Sequence, residues 1–138
     1  MSQKELEVLK EMESRKLLLT QSVGRFVYSD SEGPAAIPVN FGVHDDDIIF
    51  RIGDTSLLRW VLADRVAFEV DDLHPESGTG WSVLLRGQAK EVPIGDVSHM
   101  INQMQRVPQP VVEGVHNVWV SFKPSSVTGR RLGDSVMA

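Results

Sequence analysis

The chain has 138 residues, 41% of them hydrophobic and 24% charged, with a formal charge of −5 and no cysteine. That length suits one domain, residues 1–138, able to bury about 70% of its unfolded surface, and the missing thiols exclude disulfides, thiolate metal sites and a cysteine nucleophile. The acidic balance argues against a nucleic-acid partner, which calls for a basic face, and no apolar run approaches the roughly 20 residues that span a bilayer.

The N-terminus, MSQKELEVLKEMESRK, is charged throughout and lacks the apolar segment of a secretory leader, so a cytoplasmic protein is expected. Leu6, Leu9 and Met12 sit at helical spacing, and Ser2 followed by Glu5 fits a capping box, which predicts a helix over 3–16. From Val23 to Val43 the period changes to two. Val23, Arg25 and Val27 alternate with Gly24, Phe26 and Tyr28, and Asp30-Ser31-Glu32-Gly33 supplies the turn of a hairpin. In the second arm Ala35, Ile37, Val39, Phe41 and Val43 share one face, and Ala36, Pro38, Asn40 and Gly42 share the other. Proline inside a strand marks an edge, a bulge or a place where something other than a strand approaches. A face of Pro, Asn and Gly offers little bulk and one amide, which suits a flat ligand.

After the Asp45–Asp47 turn, Ile48–Ile52 reads as a strand and Leu57–Ala63 as a short helix with Thr55 or Ser56 as N-cap. Arg65–Asp71 alternates again. A loop over 72–80 precedes the longest strand, Trp81–Val92, in which Gly87 predicts a bulge or a close backbone approach. Ile94–Gln105 is predicted helical with Ile94, Val97, Ile101 and Met104 as its apolar stripe. Val107–Val115 reads as a loop, and His116–Lys123 and Val127–Leu132 as two strands, with Trp60 and Trp119 assigned to core or interface. Six or seven short strands with two or three helices predict a mainly β fold, an antiparallel barrel with helices packed at its ends.

The common catalytic signatures are absent: the chain holds neither a G-x-S-x-G elbow nor a G-x-x-x-x-G-K-[ST] loop. Its four histidines form no ligand spacing, and the one tight cluster of ligand types, Asp71, Asp72, His74 and Glu76, reads as a solvated acidic turn, so no metal is expected. The segment around Arg51 is more informative. An arginine projecting from a strand beside a turn that carries Thr55 and Ser56 makes a candidate anion pocket, since the guanidinium fork suits phosphate. The competing reading is an arginine lying at a barrel rim and paired with Asp54 or another loop carboxylate.

Five stretches, in this order, resemble the FMN-binding split-barrel family related to pyridoxamine 5′-phosphate oxidase. They are VGRFVY at 23–28, IPVNF at 37–41, IFRIGDTSLL at 49–58, VAFEVDD at 66–72 with GWSVLLRGQA at 80–89, and PSSVTGRRL at 124–132. The resemblance implies a six-stranded antiparallel split β-barrel with Greek-key character and two or three short helices. It also implies a homodimer with FMN in two equivalent interface clefts. Pro38, Val39 and Asn40 would lie along the flavin ring, Arg51, Ile52, Thr55 and Ser56 would hold the phosphate, and Trp81 and Ser82 would approach from either subunit. It implies a small-molecule oxidoreductase and assigns no catalytic residue. Arg130 and Arg131 match a Gly-Arg-Arg to which it attaches no role.

Relatives commonly read Arg-Thr-x-x-Gly-Ser-Lys-Leu across the phosphate turn, where this chain has Ile52 for threonine, Leu57 for lysine and an added Asp54. Losing one charge-assisted contact costs roughly 1.5–3 kcal/mol, on the order of tenfold to hundredfold in affinity. Two readings therefore stand: an FMN-dependent oxidoreductase, or a non-catalytic binding protein whose FMN site is weak, lost or given over to a deazaflavin or another flat anion.

Overall fold

The structure is a computed structural model that describes residues 5–108 and 118–133. Among these, seven strands run in chain order: β1 (Glu5–Leu9), β2 (Val23–Asp30), β3 (Gly33–His44), β4 (Asp47–Ile52), β5 (Val66–His74), β6 (Thr79–Glu91) and β7 (Val118–Gly133). Three short helices join them: α1 (Glu11–Leu18), α2 (Leu58–Val61) and α3 (Val97–Gln103), the last two entered through 3-10 turns at Thr55–Leu57 and Ile94–Asp96. None of the described helices is long and apolar enough to cross a membrane.

The hairpins follow from local chemistry. Asp45 and Asp46 hold positive φ values of 50° and 68° between the paired His44 and Asp47. Two successive left-handed residues give the turn whose twist matches a hairpin, and aspartate tolerates that conformation better than most side chains. β2, β3 and β4 form a meander. The chain then crosses the barrel end through α2, and β5 returns beside β2. β6 pairs with β5, and β7 pairs with both β6 and β4, closing six antiparallel strands into a ring. This is the split barrel with Greek-key connectivity that the sequence predicts.

Alternation turns one side chain in two inward. All five phenylalanines (Phe26, Phe41, Phe50, Phe68 and Phe122) are essentially fully buried in the barrel, with Phe26–Phe50 and Phe41–Phe68 ring centroids 4.9 and 5.1 Å apart. Val61 of α2 and Leu18 of α1 join the same core. A separate cluster lies outside the barrel, where Met100 of α3 and Met104 just past its end cover Ile49 of β4. Gly87 sits at a bulge opposite Pro124, where an added Cβ would come within 2.0 Å of the Lys123 carbonyl oxygen. Close backbone approach requires glycine there.

Several boundaries differ from the sequence prediction. The helix over 3–16 divides, because Glu5–Leu9 pairs with the end of β7 and only Glu11–Leu18 is helical. Glu-Leu-Glu-Val-Leu alternates as well as it repeats at helical spacing, and the free edge of β7 decides the matter. The capping box begins at Ser2, outside the described residues. The loop over 72–80 shrinks to a turn at residues 75–78, since Asp72, Leu73 and His74 pair with Trp81, Gly80 and Thr79. In the helix beyond Pro93, Ile94 is 91% exposed and drops out of the predicted stripe, Met104 is buried as predicted, and Met100 joins it. The two C-terminal strands are one continuous β7, while His116 and most of the preceding loop lie outside the described residues.

Candidate functional site

Outward-facing residues of β3 and β4 form the first half of the site. The register pairs Phe41 with Phe50 and turns both inward, so Asn40 and Arg51, one step along each strand, lie on the outer face with Pro38. On the far side of Arg51 the register pairs it with Trp119 of β7. The guanidinium lies over the indole, 4.7 Å from the ring centroid. Such a stack is worth roughly 0.5–2 kcal/mol, more as water is excluded.

Arg51 Nε is buried without a hydrogen-bond partner, and no described carboxylate lies within salt-bridge distance of the side chain. The sequence alternative that pairs Arg51 with Asp54 is therefore not the arrangement present. A buried donor left unmade costs about 1–3 kcal/mol, and Arg51 Nε lacks an acceptor among the described residues.

The adjoining turn is organised differently from the prediction. Neither Thr55 nor Ser56 is the N-cap. Asp54 is, its Oδ1 accepting from the Ser56 amide at 3.0 Å and from the Ser56 hydroxyl at 2.6 Å. Of the two turn residues expected to meet a phosphate, Ser56 thus has both its donors held by the chain's own carboxylate, while Thr55 is exposed beside it. Leu57, where relatives carry lysine, packs against the barrel core.

The nine residues singled out from the sequence divide by face. Pro38, Asn40 and Arg51 come together on the outer surface. Val39 and Ile52 point into the core, and Thr55 and Ser56 are exposed at the turn. Trp81, 7% exposed, packs in the core, while its neighbour Ser82 faces outward on β6. β6 is separated from β4 by β7 on one side and by β3, β2 and β5 on the other. One chain therefore does not bring Ser82 to Arg51.

Ser82 belongs to a second polar cluster that the sequence reading missed. Its hydroxyl donates to Glu69 Oε2 at 2.9 Å, and Arg25 reaches both Glu69 Oε1 and Asp71 Oδ2, each at 2.9 Å. Burial pushes the Glu69 carboxyl above its ordinary range, helped by the neighbouring Asp71. Alternation places Arg25, Glu69 and Ser82 outward on their own strands, but only the pairing of β5 with both β2 and β6 makes the three strands neighbours. Trp119 was likewise invisible as the partner of Arg51.

A cavity of about 340 Å³ lies between α3 and the outer face of β4, β6 and β7, with Met100 on one wall and His44, Asp47, Ser121 and Lys123 around it. Burial raises the Asp47 carboxyl above 3.8, against the lowering effect of the Ser121 hydroxyl bond and Lys123. A raised value in the fold means that the folded chain holds the proton more tightly than the unfolded one. Stability then falls as pH rises through the window above 3.8. Asp47→Asn keeps an oxygen for Ser121 and removes the charge. It is expected to raise Tm at pH 7 and to lose that advantage below pH 3.8, as read from thermal melts across pH. Equal effects at both pH values would remove burial of the charge as the cause.

Among the described residues no three histidine, aspartate or glutamate side chains are gathered to hold a metal ion. Residues 10–131 match the pyridoxamine 5′-phosphate oxidase family. An uncharacterised protein of Mycobacterium tuberculosis is 34% identical over 137 residues, covering 95% of this chain and 88% of the relative. Among solved structures, a candidate pyridoxamine 5′-phosphate oxidase of Corynebacterium glutamicum superposes with a TM-score of 0.77 at 25% identity, covering 94% of this chain and all of that one. An FAD-binding protein of Mycobacterium smegmatis gives 0.68 at 27% identity, with 92% and 98% covered.

Proposed function

This chain belongs to the pyridoxamine 5′-phosphate oxidase family, and from that premise we propose that it is a cytoplasmic, homodimeric flavoprotein that binds FMN and acts as a small-molecule oxidoreductase. The observation that carries the reading is Arg51, whose guanidinium lies over Trp119 with a buried Nε lacking an acceptor among the described residues, beside the low-relief Pro38–Asn40 face. That pairing suits a flat ring system carrying an anionic group. Similarity to an FAD-binding protein supports a flavin as that ring system.

The fit is uneven. Arg51 would meet the anion, whereas Ser56 would contribute its donors only once Asp54 releases them. Pro38 and Asn40 would lie against the ring, Asn40 supplying an amide. Ser82 and the edge of Trp81 would reach the ring from a second copy, because an isologous pair that sets the β6 flank of one chain against the β3–β4 flank of the other completes two equivalent clefts. When bound, the flavin supplies the redox chemistry, and the chain binds it, orients it and limits water around it.

Asp54 and Leu57 favour a second reading, a binding protein that holds a flavin, a deazaflavin or another flat anion without turnover. Titration of the full chain with FMN, FAD and riboflavin, followed by flavin fluorescence, tests the first part. Saturable binding with a dimer in sedimentation equilibrium supports the site, and bleaching by a nicotinamide donor separates the enzyme from the carrier. Absence of binding by all three flavins would remove the proposal. Asp54→Ser frees the Ser56 donors and one negative charge, so FMN is expected to tighten roughly tenfold, with riboflavin, which has no phosphate, unchanged.

A further inference from the structure

On the β5–β6–β7 flank the outer surface sinks into a cavity of about 440 Å³, walled by Leu73, Leu84 and Leu132 with the edge of Trp81. Two guanidinium-bearing residues, Arg86 and Arg130, stand at its rim. The register fixes their places. Arg130 pairs with Ser82 at one end, Leu84 and Thr128 pair in the middle, and Arg86 pairs with Ser126 at the other end. Four residues along β6 put the two arginine positions about 13 Å apart, at about 3.3 Å per residue.

The charges around this cavity are not equivalent. Glu69, the one carboxylate in its wall, is already engaged, with Arg25 on one oxygen and the Ser82 hydroxyl on the other. Arg131, next along from Arg130, is paired with Glu13 Oε2 at 2.9 Å. Arg86 and Arg130 are both exposed, and no described carboxylate lies within salt-bridge distance of either. The cavity therefore presents two uncompensated guanidiniums with Leu84 and Thr128 between them, and Leu73 and Leu132 lie beyond Arg130. Guanidinium matches a planar carboxylate with two parallel hydrogen bonds.

We propose that this cavity binds a small organic dicarboxylate with an apolar spine, one carboxylate on Arg86 and the other on Arg130, the spine lying over Leu84 and Thr128. The cavity has the volume of a small-molecule site, and two long, flexible side chains from positions about 13 Å apart leave a gap that a spine of about four methylenes spans. Occupancy does not need a flavin. Only the further role of the cavity as a substrate seat, next to Ser82, rests on the flavoprotein reading.

The test is calorimetric titration of the full chain at low salt with adipate, hexanoate, inorganic phosphate and hexamethylenediamine, with and without FMN. Saturable adipate binding is expected, with hexanoate roughly tenfold weaker because one charge-assisted contact is missing. Phosphate, which lacks the spine, binds more weakly than adipate, and the diamine does not bind. Arg86→Gln and Arg130→Gln are each expected to reduce adipate to the level of hexanoate, with hexanoate changing little. No saturable adipate binding, equal binding of the diamine, or unchanged adipate binding in both variants would overturn the proposal. Failure of FMN to bind while adipate still does would sink the flavin reading and leave this one standing.

Discussion

Phe68→Ala is expected to be the most damaging single truncation in the barrel. The Phe68 ring is fully buried and touches three other rings, those of Phe41, Phe50 and Phe122, at centroid distances of 5.1, 6.2 and 6.4 Å. It also lies so close over Gly24 that a Cβ there would be 2.5 Å from Phe68 Cζ. A phenylalanine removed from such a site costs about 3–5 kcal/mol, part of it for the cavity left behind. Domains of this kind are stable by only about 5–15 kcal/mol. A fall in Tm on the order of 10 °C follows for a chain of this size. Phe68→Leu retains most of the volume and is expected to lose less than half as much. Val23→Ala, on a half-exposed side chain of β2, serves as the neutral comparison. Melting curves in which Phe68→Ala tracks Val23→Ala would mean that the four rings do not form the centre of the fold.

Much of this core was legible because strand alternation is a local signal. Phe26, Phe41 and Phe68 each fall on the apolar face of a period-two run, and the Asp-rich and Gly-containing turns between the runs fix their limits. The ring closure was not legible from periodicity, since nothing in β7 announces that it pairs with β4 at one end and β6 along most of its length. The count of strands and helices predicted an antiparallel barrel, and the family resemblance supplied its six-stranded split form. Trp119 under Arg51 depends on that closure and was missed for that reason, while Arg25 beside Glu69 and Ser82 was missed because the return of β5 to β2 is just as non-local.

Asp54 is a different kind of miss. Asp54, Thr55 and Ser56 are all competent N-caps, and the choice depends on which backbone adopts the extended conformation before the first turn. Asp54 does so at φ −83°, ψ 95°. Once it caps, its carboxylate takes the amide and hydroxyl of Ser56, and the turn changes from a provider of donors to a consumer of them. Arg51 is then the strongest remaining contact for an anion on that flank, as Leu57 is packed inward. A ligand there would rely mainly on one guanidinium, with only the neutral Thr55 hydroxyl left exposed in the adjoining turn.

That concentration makes the Arg51 prediction sharp. In Arg51→Gln, flavin affinity is expected to fall roughly tenfold to hundredfold, the consequence of losing about 1.5–3 kcal/mol of charge-assisted hydrogen bonding. Folding stability is expected to change little, because two effects oppose each other. The variant loses a stack on Trp119 worth roughly 0.5–2 kcal/mol, and it removes a buried unpaired Nε that costs about 1–3 kcal/mol. Arg51→Lys keeps the charge but loses the planar fork and most of the stack, so intermediate affinity with a steeper salt dependence is expected. Fluorescence titrations paired with thermal melts check both halves at once. If Arg51→Gln lowers Tm by several degrees while the flavin dissociation constant stays where it was, the arginine serves the packing of β4 against β7 and the anion lies elsewhere.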